Sequence, residues 1–272
     1  MHVIVCIKQV PDTTQVKIDP VTNTLMRQGV PSIINPYDNF ALEEAFRLKD
    51  KFGATVTVIS MGPPQAEMAL RKAIAYGADR AILLTDRSFA GADTLATSYA
   101  ISEGIRRIQE DDPFDIILCG KQTIDGDTAQ VGPGIACRLN LPQLTYVASI
   151  DKVDLKTKEI TIKRRAEGGL QVLKSKLPCL LTVLEGINEL RFSPLPNFIK
   201  AARSKIEAWD AAKIKVEPLR CGLKGSPTMV NKVFAPPQKQ RGEMINGSAE
   251  EEKADALAEK VIGLGIFSRG EA

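Results

Sequence analysis

Four short apolar runs recur through the first half of this 272-residue chain: Val3–Ile7, Thr55–Ser60, Arg80–Thr85 and Asp115–Cys119. Each is rich in Val or Ile, or in Ile and Leu, and ends in polar residues or glycine. Continuous apolar runs of this length read as strands buried on both faces. Helical patterns separate them. Tyr37–Phe52 carries Ala41, Ala45, Leu48 and Phe52 at helical spacing, and Asn35-Pro36 reads as its N-cap and first helical position, with Asp38 in the first turn. Gln65–Tyr76 closes at Gly77, and Thr94–Gln109 places Ile101, Ile105 and Ile108 on one face. Such alternation predicts an α/β fold, doubly wound around a mainly parallel sheet with right-handed crossovers.

The pattern changes after about residue 145. Asp151–Leu173 reads as an antiparallel hairpin around Ala166-Glu167-Gly168-Gly169, and Pro178–Val183 as a further buried strand. A basic, proline-containing segment, Arg191–Lys205, follows, then loosely patterned sequence to Gly247. Ser248 with Glu251 forms a capping box before an apolar stripe of Leu257, Val261 and Leu264. The expected division is an α/β domain over residues 1–190 and a C-terminal arm over 191–272.

In a parallel α/β sheet, ligands bind beyond the carboxyl ends of the strands. Two of the loops there are informative. Asp86–Ser98 and Gly120–Pro133 are both hydroxyl-rich, and both open a helix. Free backbone N–H groups with Thr hydroxyls nearby suit a phosphate oxygen, and glycine permits close approach. Asp93 and Asp127 also read as ordinary helix caps. Asp93, Thr94, Thr97 and Gln122 are candidates alongside the loop that follows.

Several chemistries are excluded. The net charge of +3 and an aromatic content of 5% give no reason to expect nucleic-acid binding. No run approaches the ~18–20 apolar residues of a membrane span. The five cysteines lack any C-x-x-C pair and His2 is the sole histidine, so a zinc or iron–sulfur site is not expected. The cysteines read as reduced and cytoplasmic, and the N-terminal run is too short for a signal peptide. No P-loop, no G-x-G-x-x-G after the first strand and no nucleophile elbow is present.

V-C-I-K-Q-V-P-D-T, I-N-P-Y-D-N-F-A-L-E-E-A and G-K-Q-T-I-D-G-D-T-A-Q-V-G-P resemble the markers of electron-transfer flavoprotein beta subunits. E-G-G-L-Q-V-L-K-S-K-L-P-C-L-L-T-V and L-P-N-F-I-K-A extend the likeness to about residue 205. The resemblance implies an adenine-nucleotide-binding domain and an arm that wraps an alpha subunit. It places a nucleotide against Cys6, Ile7, Lys8, Gln9, Val10, Asn35, Asp38 and Met61. It adds Thr123, Asp125, Gly126, Asp127, Thr128, Ala129, Gln130, Val131, Gly132, Pro133 and Gly134. In simpler members that nucleotide is AMP, and the family's one flavin is held largely by the alpha subunit. In bifurcating members it is FAD, reduced by NADH, with one electron passing to a low-potential acceptor, ferredoxin or flavodoxin, and the other to the alpha-subunit FAD. The D-R-x-F-A-G-A-D-T-L-A-T-S loop resembles the second type. Leu195 falls in a segment resembling the recognition loop that docks on a flavin-dependent dehydrogenase, of acyl-CoA dehydrogenase type. Outside the family, an adenylating ATP-pyrophosphatase and a nucleotide-sensing stress protein remain alternatives. The first needs a Ser-Gly-Gly loop where this chain has Lys8-Gln9-Val10-Pro11, and the second lacks the hairpin and arm.

Overall fold

The computed structural model describes residues 1–12, 31–231 and 242–265. The four apolar runs form strands β1 (His2–Cys6), β4 (Thr55–Met61), β5 (Arg80–Leu84) and β6 (Ile116–Gly120). Every residue of β1 is buried, as expected where helices cover both sheet faces. Helices α1 (Pro36–Phe52), α2 (Glu67–Tyr76), α3 (Thr94–Asp111) and α4 (Val131–Leu139) make the crossovers. Gly53, at φ 64°, ends α1 in the left-handed conformation that glycine adopts without penalty.

The main sheet has nine strands in the order β11-β5-β4-β1-β6-β10-β7-β8-β9. From β11 (Glu207–Trp209) to β7 (Gln143–Asp154) the neighbours are parallel. The buried strand expected at 178–183 is β10 (Cys179–Val183), inserted between β6 and β7. The hairpin around Ala166–Gly169 forms as β8 (Glu159–Ala166) and β9 (Gly169–Lys176). It has a third member, because β7 pairs antiparallel with β8 before it. A separate ribbon pairs β2 (Gln9–Pro11) with β3 (Ser32–Ile34).

Alternate residues of each strand serve different faces. Val3 and Val5 pack with Leu42, Phe46 and Leu70 of α1 and α2. Ile4 and Cys6 pack with Ile105 and Ile108 of α3 and Ile135 of α4. Full burial of each such aliphatic side chain contributes about 1.5–3 kcal/mol, so the two cores hold the sheet in place from both sides. Gly104 lets α3 settle on the sheet: a Cβ there would meet Ile59 Cδ1 and Leu84 Cδ1 at 3.0 Å.

Segments with weaker patterns are also ordered. Leu195–Arg203, within the basic segment read as a docking loop, is helix α5, tied to α2 through Arg71, which donates to the carbonyls of Ala201 (2.9 Å) and Ser204 (3.0 Å). Trp209 is buried. Arg80 of β5 grips Glu207 of β11 through two hydrogen bonds of 2.6 and 3.0 Å. Cys6, Cys119, Cys179 and Cys221 are buried free thiols, while Cys137 is exposed.

The chain divides into two compact units, Met1–Lys232 and Val233–Ala272. The second contains α6 (Glu250–Gly263), whose N-cap is Ala249. The expected Ser248–Glu251 box is displaced by one residue. Ser248 precedes the N-cap and donates its N–H and hydroxyl to Glu252 instead, at 2.9 and 2.5 Å. Leu257, Ile262 and Leu264 of this unit are exposed. No helix among the described residues is long and apolar enough to cross a membrane.

Candidate functional site

The chain runs from β1 to β4 and β5 on one side, then returns to place β6 on the other side of β1. Strand order therefore reverses between β1 and β6, and a crevice opens beyond their carboxyl ends. Cys6 and Cys119 are register partners at that point. Cys119, hydrogen-bonded to Cys6 and buried, has its thiol raised well above the ordinary range and stays protonated.

The side chains above this point form one connected set. Lys8 donates from Nζ to both carboxylate oxygens of Asp125 at 2.7 Å. Burial pushes the Asp125 carboxyl up, but the Lys8 ammonium and the Thr123 hydroxyl outweigh it and hold the group below the ordinary range. Asn35 Nδ2 donates to the Gln122 carbonyl at 2.8 Å, and Ile124 N–H donates to Asn35 Oδ1 at 3.1 Å. The Asn35 side chain thus does not cap α1, although the residue occupies the N-cap position. It fastens the start of α1 to the loop after β6.

Asp38 is likewise more than a first-turn carboxylate. It is buried, and it accepts the Lys8 N–H at 2.8 Å. Burial raises its pKa to about 7, against the lowering effect of hydrogen bonds from Lys8, Asn35 and Gly120. Gly120 is required beside it. A Cβ there would lie 2.5 Å from Asp38 Oδ1 and 2.7 Å from the Tyr37 carbonyl carbon.

The two hydroxyl-rich loops meet, because the Thr94 hydroxyl donates to Gln130 Oε1 at 2.9 Å. Gly134 brings the helices together, since a Cβ there would meet Ser98 at 2.8 Å. The two helix starts differ. Asp93 is the ordinary cap, accepting from Leu95 N–H at 2.9 Å and Ala96 N–H at 3.0 Å. Those amides of α3 are already used. Asp127 is not a cap, because α4 begins four residues later at Val131. Its backbone is left-handed, φ 55°, and its side chain accepts from Gln122 Nε2. Gln130 holds the α4 N-cap position without a capping hydrogen bond. This end of α4 keeps its first amides open, the donor arrangement that receives an anion. Ala129 is also left-handed at φ 55°, a strained conformation for alanine that turns the loop into α4.

The structure brings Cys6, Lys8, Asn35, Asp38, Gln122, Thr123, Asp125 and Asp127 to one edge, with Thr94 and Gln130 continuing it. Thr97 lies one helical turn beyond Thr94 on α3. Met61 ends the adjacent strand β4, and Gln9 and Val10 lie in the β2–β3 ribbon. The Ser226 and Thr228 groups that bind Asp93 were not legible as parts of this region. No group of three or more His, Cys, Asp or Glu among the described residues could hold a metal ion. A cavity of about 630 Å³ lined by Phe46, Lys49, Tyr76, Arg191 and Phe192 lies at the carboxyl ends of α1 and α2, the other edge of the sheet.

The electron transfer flavoprotein domain model matches residues 22–214. The chain belongs to the electron-transfer flavoprotein family, as a beta subunit. It is 61% identical to Protein FixA of Azotobacter vinelandii, over 96% of this chain and 95% of that protein. It is 50% identical to the electron transfer flavoprotein subunit beta of Clostridium acetobutylicum, over 93% and 95% of the two chains. For the corresponding subunit of Megasphaera elsdenii the identity is 47%, over 96% and 98%. An electron-transfer flavoprotein beta subunit works in electron transfer with an alpha subunit, in a complex that uses flavin. At this edge α4 supplies open amides, and Thr94 and Thr97 carry hydroxyls, the donor types that a phosphate-bearing group requires.

Proposed function

We propose that this beta subunit holds FAD in the crevice between β1 and β6, with NADH as electron donor. The complex would divide the electrons between a ferredoxin or flavodoxin and the alpha-subunit flavin, which serves a dehydrogenase of acyl-CoA dehydrogenase type. A bound FAD would supply chemistry no side chain here can, accepting two electrons together and releasing them singly.

The observation that carries this reading is the Thr94–Gln130 contact. It joins a second hydroxyl-bearing helix to the open amides of α4, making a longer polar floor than one phosphate needs. The protein's part is to bind and orient. Val131 and Gly132 amides and the Thr97 hydroxyl would hold the diphosphate, and the Thr94 hydroxyl would turn from Gln130 to join them. Lys8, fixed by Asp125, and the backbone at Gln9 and Val10 would border the flavin ring. Asn35 and Asp38 hold α1 and the loop after β6 at a set separation.

A second reading is a single-flavin carrier with structural AMP here. It draws on Asp93, which fills the α3 amides itself and leaves one open helix start, sufficient for one phosphate. Nucleotides stripped from the purified heterodimer decide between the two. Two FAD per heterodimer are expected, falling toward one in a combined Thr94→Val and Thr97→Val variant that also loses NADH oxidation. One FAD and one AMP would refute the FAD reading and establish the carrier.

A further inference from the structure

A second cleft lies outside the crevice, between α3, α4 and the segment Leu219–Pro227. Its volume is about 390 Å³, and its lining includes Leu95, Tyr99, Arg138, Leu219, Arg220 and Lys224. Three of its lining residues are cations and none is acidic. Among the described residues none of the three cations is in an ion pair. We propose that this cleft binds a small phosphate-bearing ligand, at a site distinct from the nucleotide crevice.

The guanidinium groups are held in place before any ligand arrives. Tyr99 is buried, and its hydroxyl accepts the Glu217 N–H at 2.9 Å, so the ring cannot swing. Arg220 lies over that ring at 4.1 Å, and Arg138 at 5.5 Å. Arg138 also donates to Ser98 Oγ at 3.2 Å and to the Leu95 carbonyl at 3.1 Å. An arginine has five N–H donors, so each retains several for a ligand. Planar guanidinium forks match phosphate oxygens, and a dianion balances two of the three charges where a carboxylate balances one. Asp93 stands nearby on the same helix start, but its Oδ2 accepts the Thr228 hydroxyl at 2.9 Å and N–H at 3.2 Å, while Oδ1 caps α3. It therefore does not compete for the cations. The volume lies within the roughly 300–1,000 Å³ of small-molecule sites.

The test uses the intact heterodimer with its own nucleotides bound, so that the crevice is filled. Inorganic phosphate, and then pyrophosphate, is titrated by calorimetry at constant ionic strength against chloride. Wild type is compared with a combined Arg220→Gln and Lys224→Gln variant, both positions being exposed. Saturable phosphate binding is expected, weakened about tenfold or more in the variant, with flavin content unchanged. Equal binding in both proteins, no saturable binding, or equal heats from phosphate and chloride would each overturn the proposal. So would binding of polyglutamate without binding of phosphate, which would mark an acidic-protein surface instead.

Discussion

Asp38 shows how a residue read from sequence acquires a different task in the fold. At the start of α1 its carboxylate complements the helix dipole, and that much follows from its place after Asn35-Pro36. In the fold it is buried between α1 and Gly120 and accepts the Lys8 N–H, contacts that no local pattern displays. With its pKa raised to about 7 from the ordinary 3.8, the folded chain keeps a proton that the unfolded chain releases above about pH 4. This group's stabilising contribution is therefore complete at low pH and is lost as pH rises toward 7. The slope approaches about 1.4 kcal/mol per pH unit within that window. Asp38→Asn should flatten it, and urea denaturation at several pH values between 4.5 and 8 would measure the difference. Parallel curves for the two proteins would count against the burial argument. Asn35 teaches the same lesson, since its side chain serves a loop almost ninety residues away in sequence rather than its own helix.

At the scale of elements, the strands of the first half were legible because burial on both faces leaves an unbroken apolar run. The helices between them were legible by their period. Two elements were obscured for physical reasons. The strand β7 alternates irregularly, with register shifts on both its partners, so its period is blurred and only the hairpin after it stood out. The helix α5 is nine residues long, opens with a proline in its first turn and keeps only Ala201 buried, which leaves a weak inward face and a loop-like composition. That helix raises Leu195 into solvent at 72% exposure, with Phe198 and Ile199 also exposed. If Leu195 anchors a dehydrogenase, as we propose, Leu195→Ala should slow electron delivery to that dehydrogenase by a factor corresponding to about 1–3 kcal/mol. NADH oxidation with an artificial acceptor should be unchanged. Stopped-flow kinetics with both acceptors measure this, and unaltered delivery would remove Leu195 from the contact.

For the whole molecule, the division at Lys232 separates a unit with two apolar cores from one whose α6 has no buried residue. The stripe of Leu257, Val261 and Leu264 has no buried member in this unit and gains nothing from the helix alone, and we propose that it docks on the alpha subunit. Deleting residues 233–272 should leave the melting of the first unit within a few degrees while weakening heterodimer formation, as sedimentation would show. An unchanged dimer would refute this. The site edge was legible in outline, because loops after parallel strands must share one side. The sharing of roles between its two helix starts was not, since Asp93 and Asp127 look alike in sequence and differ in backbone conformation, in distance from the helix start and in side-chain partners. The position of β10 bears on how the chain is made. It lies between β6 and β7, both of which leave the ribosome before it. A nascent chain that has extruded β7, β8 and β9 but not residues 179–183 presents two open strand edges that cannot yet join through their proper neighbour. During that interval the half-built sheet is open to strands from other chains. The order of synthesis, rather than the finished contacts, thus sets when this subunit is most exposed to mispairing.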